Sequence, residues 1–164
     1  MTAHRLDTVV VIPDVSDLAL LSDDELLAVS SRASQARRQA DVAVAAVAGE
    51  FARRSRPELG FTGLAQRSGA RTPERLVASV TGLSVPESRA MISAGSMLDG
   101  DSPWMAPVAN ALQTGELSVG ATAAIRAGLG EPTADVTAGA LTSAAEQLLG
   151  ELSLIHISEP TRPY

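Results

Sequence analysis

The chain has 164 residues, a formal net charge of −6, no Cys and only 2% aromatic residues. The lack of Cys excludes disulfides, thiolate catalysis and Cys-ligated zinc, and no apolar run reaches the roughly 18 residues of a membrane-spanning helix. Ala, Val and Leu must therefore build the core, which favours closely packed helices. We expect an all-α, cytoplasmic protein that does not contact a membrane.

Residues 1–21 precede any strong helix signal. They contain the β-branched run TVVVIPD, which reaches Pro13 and Asp14. An isolated strand is not stable without a pairing partner. We therefore predict that residues 1–21 form an extended leader.

A long helix is predicted to begin at Ser22. Ser22 and Glu25 have the spacing of a capping box, in which each side chain binds the backbone amide of the other residue. Acidic residues fill the first turn, Arg residues lie near the end, and Pro57 stops the helix. The predicted helix is roughly 50 Å long.

Apolar residues recur along this helix in alternating steps of three and four, the heptad spacing of a helix–helix seam. The seam consists of Leu26, Val29, Ala33, Ala36, Ala40, Ala43 and Val47. Two interpretations fit this pattern. The seam packs against another helix of the same chain, or it forms a homodimer.

Three short helices are predicted next, in TGLAQRSG, TPERLVASVTG and LSVPESRAMISAG. Thr62, Thr72 and Ser84 have the positions of N-caps, and Gly82 has that of a helix stop. Short helices joined by tight glycine turns indicate a helix-turn-helix-like array. Further helices are predicted from Trp104, in SVGATAAIRAGL, and from Pro132 or Thr133 onward. The expected fold is about seven helices, with the long capped helix packed against the shorter ones.

Charge is unevenly distributed, with ten Arg and five acidic residues between positions 32 and 89. Four of these Arg lie on or beside the short helices: Arg67, Arg71, Arg75 and Arg89. They could contact the phosphates of DNA or pair with acidic side chains of the same chain. The spacing of a DNA-reading helix-turn-helix fits only in part, because Ala78 and Gly82 in register place Ser88 where an apolar residue is expected.

The chain shows no set of residues suited to catalysis or to metal binding. His4 and His156 each lack a His partner at helical spacing. The acidic run SDDE is explained as a helix cap, and Asp99 and Asp101 lack the later Glu of a calcium loop. We predict no catalytic residue, no metal site and no cofactor.

The segment GLAQRSGARTPERLVASVTGLSVPESRAMISAG, followed by ALQTGELSVGATAAI, carries a family resemblance. From about Leu21 to Glu151 the chain resembles an actinobacterial domain-of-unknown-function family, number two-two-two, which overlaps the 13E12 repeat proteins. Members carry this helical region before an HNH endonuclease domain. The resemblance implies a DNA-engaging or nuclease-positioning accessory module without enzyme activity of its own. Its partners would be DNA and the nuclease domain, and any divalent metal would belong to that domain.

The C-terminal sequence differs in composition from the rest of the chain. LSLIHISEPTR, from Leu152 to Arg162, resembles a translated transposase sequencing adapter when it is read back into codons. We therefore expect residues 22–151 to form the helical domain and residues 152–164 to be a non-native tail that replaces the nuclease domain. Residues after Glu151 should then pack poorly, and His156 should have no role.

Overall fold

The computed structural model describes the secondary structure of residues 13–157 and the side chains of residues 13–152. No β-strand occurs in that range, so the predicted all-α class is confirmed. Two 3-10 segments, Pro57–Thr62 and Pro103–Met105, interrupt the helices. The α-helices are α1 (Val15–Leu18), α2 (Asp23–Arg53), α3 (Leu64–Arg67), α4 (Pro73–Thr81), α5 (Val85–Leu98), α6 (Ala106–Gln113), α7 (Val119–Leu129) and α8 (Ala138–Ile157).

The long helix α2 begins as predicted. The Ser22 side chain accepts a hydrogen bond from the Glu25 amide, and the Ser22 amide donates to the Glu25 carboxylate at 2.8 Å. The helix ends at Arg53, before the predicted stop at Pro57. Arg56 has the extended conformation that is typical of a residue before proline. Its 31 residues span about 46 Å.

Helices α2 and α5 approach each other closely at two glycines. A Cβ placed on Gly49 would lie 2.8 Å from the Gly95 carbonyl carbon, and one on Gly95 would lie 2.7 Å from the Gly49 nitrogen and collide with the Ala45 carbonyl oxygen. Only residues without a side chain allow two backbones to approach this closely. The two glycines therefore fix where α2 crosses α5.

A first core forms around this crossing, from residues of α2, α4, α5, α6 and α7. Its buried members are Ala45, Ala48, Val77, Met91, Ala94, Leu112 and Val119. Small residues on α2 face larger ones on the other helices, which is how an Ala-rich helix packs without leaving voids. This core covers only the second half of α2.

The predicted seam lies on a different face of α2 from this core. Ala45 and Ala48 are buried, whereas Ala40 is exposed and Val47 is 53% exposed. Leu26, Ala40 and Val47 of the seam are exposed and its other four members are half-buried, so the seam is not the face that this core covers. The heptad spacing identified an apolar face of α2. The face that contacts α5 is the one with Ala45, Ala48 and Gly49, where Gly49 and Gly95 allow the two backbones to approach closely.

The turn between α4 and α5 has the predicted chemistry. Thr72 caps α4, Gly82 takes the left-handed conformation (φ 75°) that ends it, and Ser84 caps α5 together with Glu87. Ser88, placed where the helix-turn-helix pattern expects an apolar residue, is fully buried and donates a hydrogen bond to the Ser84 carbonyl at 2.9 Å. Its hydroxyl is satisfied within the helix, so it occupies a core position.

A second core joins the Pro103–Met105 segment and the loop before α7 to α6 and α8. Its buried members are Met97, Trp104, Met105, Val108, Ala111, Leu117, Leu141 and Ala145. Leu152 packs against it, so the expected poor packing after Glu151 is wrong at this position. Leu152 lies seven residues after Ala145, on the same face of α8. The origin of residues 152–164 stays a prediction, and 158–164 lie outside the described residues.

Several helix boundaries differ from the predictions. Thr62, predicted to cap α3, instead donates to the Leu59 carbonyl at 2.6 Å, and Gly63 precedes the helix. The described part of the leader is not wholly extended, because α1 forms one helical turn. The backbone carbonyl of Asp14 accepts a hydrogen bond from the Asp17 amide at 2.8 Å. Trp104 lies in a 3-10 segment before α6, not in the helix itself. The last helix starts at Ala138, because Thr133 instead closes a turn with Val136. Residues 1–12 lie outside the described range.

Among the described residues, no helix has both the length and the apolar character needed to cross a bilayer.

Candidate nucleic-acid interface

The turn between α3 and α4 displays three of the predicted Arg residues. Arg67 ends α3, Arg71 lies in the turn and Arg75 is in the first turn of α4. The turn is held by two hydrogen bonds, from the Ala70 amide to the Ala65 carbonyl (2.8 Å) and from the Gln66 side chain to the Arg71 carbonyl (3.2 Å). The backbone that carries the three guanidinium groups is therefore ordered.

Arg67, Arg71 and Arg75 are exposed, and none forms an ion pair with another described residue. Other Arg side chains are engaged elsewhere in the fold. For example, Arg126 binds Glu131 at 2.8 Å, and Arg38 donates to the Gly115 carbonyl at 2.6 Å. The structural-pairing interpretation therefore does not hold for the three Arg of the α3–α4 turn within the described part of the chain.

The C-terminal end of α2 adds to this basic surface. The Leu64 amide donates to the Arg54 carbonyl at 2.8 Å, and the Ala65 amide donates to the Ser55 hydroxyl at 2.9 Å. These bonds bring the end of α2 against α3. We call the surface formed by Arg54, Arg56, Arg67, Arg71 and Arg75 the basic end. Residues 51–82 contain six Arg and two Glu, a local charge of +4.

Part of this charge is neutralised at Glu50. Both Arg53 and Arg54 donate hydrogen bonds to its carboxylate, and they lower the pKa of Glu50 from 4.5 to about 2. Glu50 is therefore ionised at neutral pH. One carboxylate balances one of these two guanidinium charges, so the end of α2 keeps a net positive charge.

Arg89 has a different environment from the other three predicted Arg residues. It is exposed at the start of α5, close enough to Glu74 to affect it. The pKa of Glu74 is lowered chiefly by a hydrogen bond with the Thr72 side chain, then by its own backbone amide, with the positive charge of Arg89 as a smaller cause. An acidic neighbour makes Arg89 a weaker candidate for phosphate contact than Arg67, Arg71 or Arg75.

The helix-turn-helix-like pair α4–α5 is not arranged for reading a DNA groove. After its first turn, α5 has no exposed residue from Ala90 to Leu98, because α2, α4, α6 and α7 pack around it. A recognition helix must present side chains along its length to base edges. The basic end is therefore suited to phosphates rather than to base sequence.

Phe61 is exposed to 92% next to the basic end, and the sequence did not single it out. Gly60, with φ 48°, interrupts the 3-10 segment just before it. The signal in the sequence was an aromatic residue between two glycines, in a chain with only two Phe.

An open cleft of about 610 Å³ lies between the C-terminal ends of α2 and α5. Charges of both signs line it, from Arg53 and Arg56 on one side and Asp99 and Asp101 on the other. Asp99 and Asp101 flank Gly100, which takes the left-handed conformation (φ 85°). Within the described residues, no group of His, Asp or Glu is arranged to hold a metal ion.

The chain was compared with models of known protein families, with curated proteins and with solved structures, and none of the three comparisons finds a match.

Proposed function

We propose that this chain is a helical accessory module that binds the phosphate backbone of nucleic acid through its basic end. The observation that carries this proposal is the exposure of Arg67, Arg71 and Arg75 on one hydrogen-bonded turn, without ion-pair partners among the described residues. Free guanidinium groups attract phosphates and release counterions when they bind them. With Glu50 included, residues 50–82 keep a local charge of +3, which allows this in a chain whose net charge is −6.

The sequence resemblance gives this module a place beside an HNH nuclease domain. On that proposal, the module holds DNA or positions the nuclease. Catalysis and its divalent metal then belong to the nuclease domain. Contacts limited to phosphates would leave the choice of sequence to other parts of such a protein.

Duplex binding measured by fluorescence anisotropy at low salt tests the proposal. We expect the triple variant Arg67→Ala, Arg71→Ala, Arg75→Ala to bind more weakly. The slope of log K against log salt should fall by up to about 2.7, since each phosphate contact contributes about 0.9. The corresponding triple Lys variant keeps the charge and should retain most of the affinity.

The matched control removes Arg residues far from the basic end. Arg32 and Arg37 are exposed in the first half of α2, so the double variant Arg32→Ala, Arg37→Ala should change duplex affinity little. No binding by the unaltered chain at low salt, or an equal loss in both sets of variants, would contradict the proposal.

A second candidate function is self-association through the predicted seam. It is favoured by the exposure of Ala40 and Val47 on the face of α2 that the core leaves uncovered. Light scattering over a concentration series should show a dimer that Ala40→Glu disrupts. Ala28→Glu, at an exposed position of the same helix outside the seam, is the matched control and should not disrupt it. A monomer at all concentrations would exclude this function.

A further inference from the structure

We propose that α2 pairs with the α2 of a second copy in antiparallel orientation, in a register that aligns the start of each helix with the end of the other. This inference rests on the second candidate function, self-association, and specifies its geometry. Four observations carry it: the free face of α2, its partly covered first half, its charge distribution and its heptad phase.

The seam face is free along the part of α2 that lies on the core. Ala45 is fully buried and Ala48 is 1% exposed, while Val47 between them is 53% exposed. Neighbouring residues on a helix point about 100° apart, so Val47 lies on the side away from α5. A second helix can therefore lie along the seam without displacing any helix of the core.

Among the described residues, the first half of α2 has only partial cover from the same chain, chiefly where Arg38 donates to the Gly115 carbonyl. No residue from Asp23 to Val44 is buried, and Leu26 and Leu27 are 45% and 69% exposed. In proteins most of the stability of a helix comes from packing its apolar face rather than from helix propensity. Antiparallel pairing places the first half of each α2 along the second half of the α2 of the other copy. That second half packs on its own core with its opposite face.

Charge distinguishes antiparallel from parallel pairing. Asp23, Asp24 and Glu25 fill the first turn of α2. Arg53 and Arg54 lie at its end, where both pair with Glu50 and Asp99 also acts on Arg53. Parallel pairing would bring acidic groups together at one end and guanidinium groups together at the other. Antiparallel pairing brings opposite charges together at both ends and also opposes the two helix dipoles.

The heptad phase selects the register. The seam residues occupy two heptad positions, one with Leu26, Ala33, Ala40 and Val47 and the other with Val29, Ala36 and Ala43. We take the register in which each residue of the first position faces a residue of the second position in the partner helix. This sets Val29 against Val47, Ala33 against Ala43, and Ala36 against Ala40 of the second copy. The same register sets Asp23 against Arg53. The apolar residues and the oppositely charged ends of α2 thus agree on one alignment. The same offset also sets Leu26 against Glu50 and brings the two Arg37 residues together near the twofold axis.

Disulfide cross-linking tests the register cleanly, because the chain has no Cys. Val29 is half-buried and Val47 is exposed, so Val29→Cys and Val47→Cys should both fold, which circular dichroism verifies. A mixture of the two variants should form the mixed disulfide on mild oxidation. Val29→Cys alone should not link to itself, since its two copies would lie about 27 Å apart and a disulfide needs Cα atoms within about 7 Å.

The outcomes separate the inference from the function on which it rests. Self-linking of Val29→Cys together with self-linking of Val47→Cys would show parallel pairing and overturn the proposal. A dimer by light scattering without the mixed disulfide would overturn the register and leave self-association standing. A monomer at every concentration would overturn both.

Discussion

The two halves of α2 have opposite surroundings, and Ala is twice as frequent in the second half, with three Ala in residues 23–38 and six in residues 39–53. In the second half, Ala45, Ala48 and Gly49 are buried against α5, whereas in the first half Leu26 and Leu27 remain exposed. The two Leu side chains of α2 are thus left in solvent, whereas Phe51 packs against the core. Backbone approach, made possible by Gly49 and Gly95, decides which part of this helix belongs to the core. Side-chain size alone would have predicted the reverse.

The largest expected effect is at the glycine crossing. Gly95→Ala would force its methyl group against the Ala45 carbonyl and the Gly49 backbone, none of which can rotate away. We expect a loss of about 3 kcal/mol or more in the free energy of unfolding, the upper end for overpacked cores. Denaturant unfolding measures it. Gly150→Ala in α8, where a Cβ meets nothing within 4 Å, should instead stabilise the protein by about 0.5–1 kcal/mol.

A pair of identical substitutions compares the two faces of α2 directly. Ala45→Leu adds volume to a fully buried site and should cost about 1–3 kcal/mol. Ala40→Leu adds the same volume at an exposed seam position and should change monomer stability by less than about 0.5 kcal/mol. Thermal unfolding of both variants checks this. Equal losses would mean that the seam, too, packs inside the monomer.

The two capping boxes provide a smaller test. Ser84→Ala weakens the start of the central helix α5 and should lower global stability by about 1 kcal/mol. Ser22→Ala removes the same interaction from the uncovered end of α2. We expect it to fray that end locally and leave the global unfolding midpoint nearly unchanged. Circular dichroism should show the lost helix, and a drop in midpoint equal to that of Ser84→Ala would contradict the comparison.

The smallest effect concerns acid pH. Hydrogen bonds from Arg53 and Arg54 lower the pKa of Glu50 to about 2 in the folded protein. Because the folded pKa lies below the unfolded value, this interaction stabilises the protein above about pH 4.5 and is lost as pH falls toward 2. Glu50→Gln should therefore make the unfolding midpoint less sensitive to acid in that range.

Glu25 is the control for this titration, since its pKa is also lowered, first by its hydrogen bond with the Ser22 backbone. It lies at the uncovered end of α2, so Glu25→Gln should leave the acid dependence of global unfolding almost unchanged. Identical effects of the two variants would show that both ends of α2 unfold with the core.

Local chemistry was predictable from the sequence, and packing was not. The caps at Ser22, Thr72 and Ser84 form where predicted, because each depends on residues within one helical turn. The glycine crossing was missed because Gly49 and Gly95 are distant in sequence and their pairing is a property of the fold. Gly49 gave a weak signal, because it interrupts the predicted long helix, where glycine is unfavourable. Gly95 gave none, since it was the last residue of a predicted segment, and α5 in fact continues to Leu98.

The residues of the candidate interface were predictable from the sequence, but their surroundings were not. Arg67, Arg71 and Arg75 were identified by charge and position, but only the structure separates them from Arg89 with its neighbour Glu74. The glycine turn and serine cap before α5 suggested a DNA-reading helix. Burial of α5 from Ala90 to Leu98 excludes that role for most of the helix, because the sequence does not reveal how many neighbours a helix has.

The most direct test is amide hydrogen exchange along α2, measured at low and high protein concentration. It shows whether the second half of the helix is packed in the monomer and the first half becomes packed only in a dimer. We expect strong protection of amides from Ala45 to Arg53 at both concentrations. Amides between Leu27 and Arg37 should exchange rapidly in dilute protein and become protected as concentration rises. Strong protection of both halves in dilute protein, or a first half that stays unprotected at high concentration, would contradict this account.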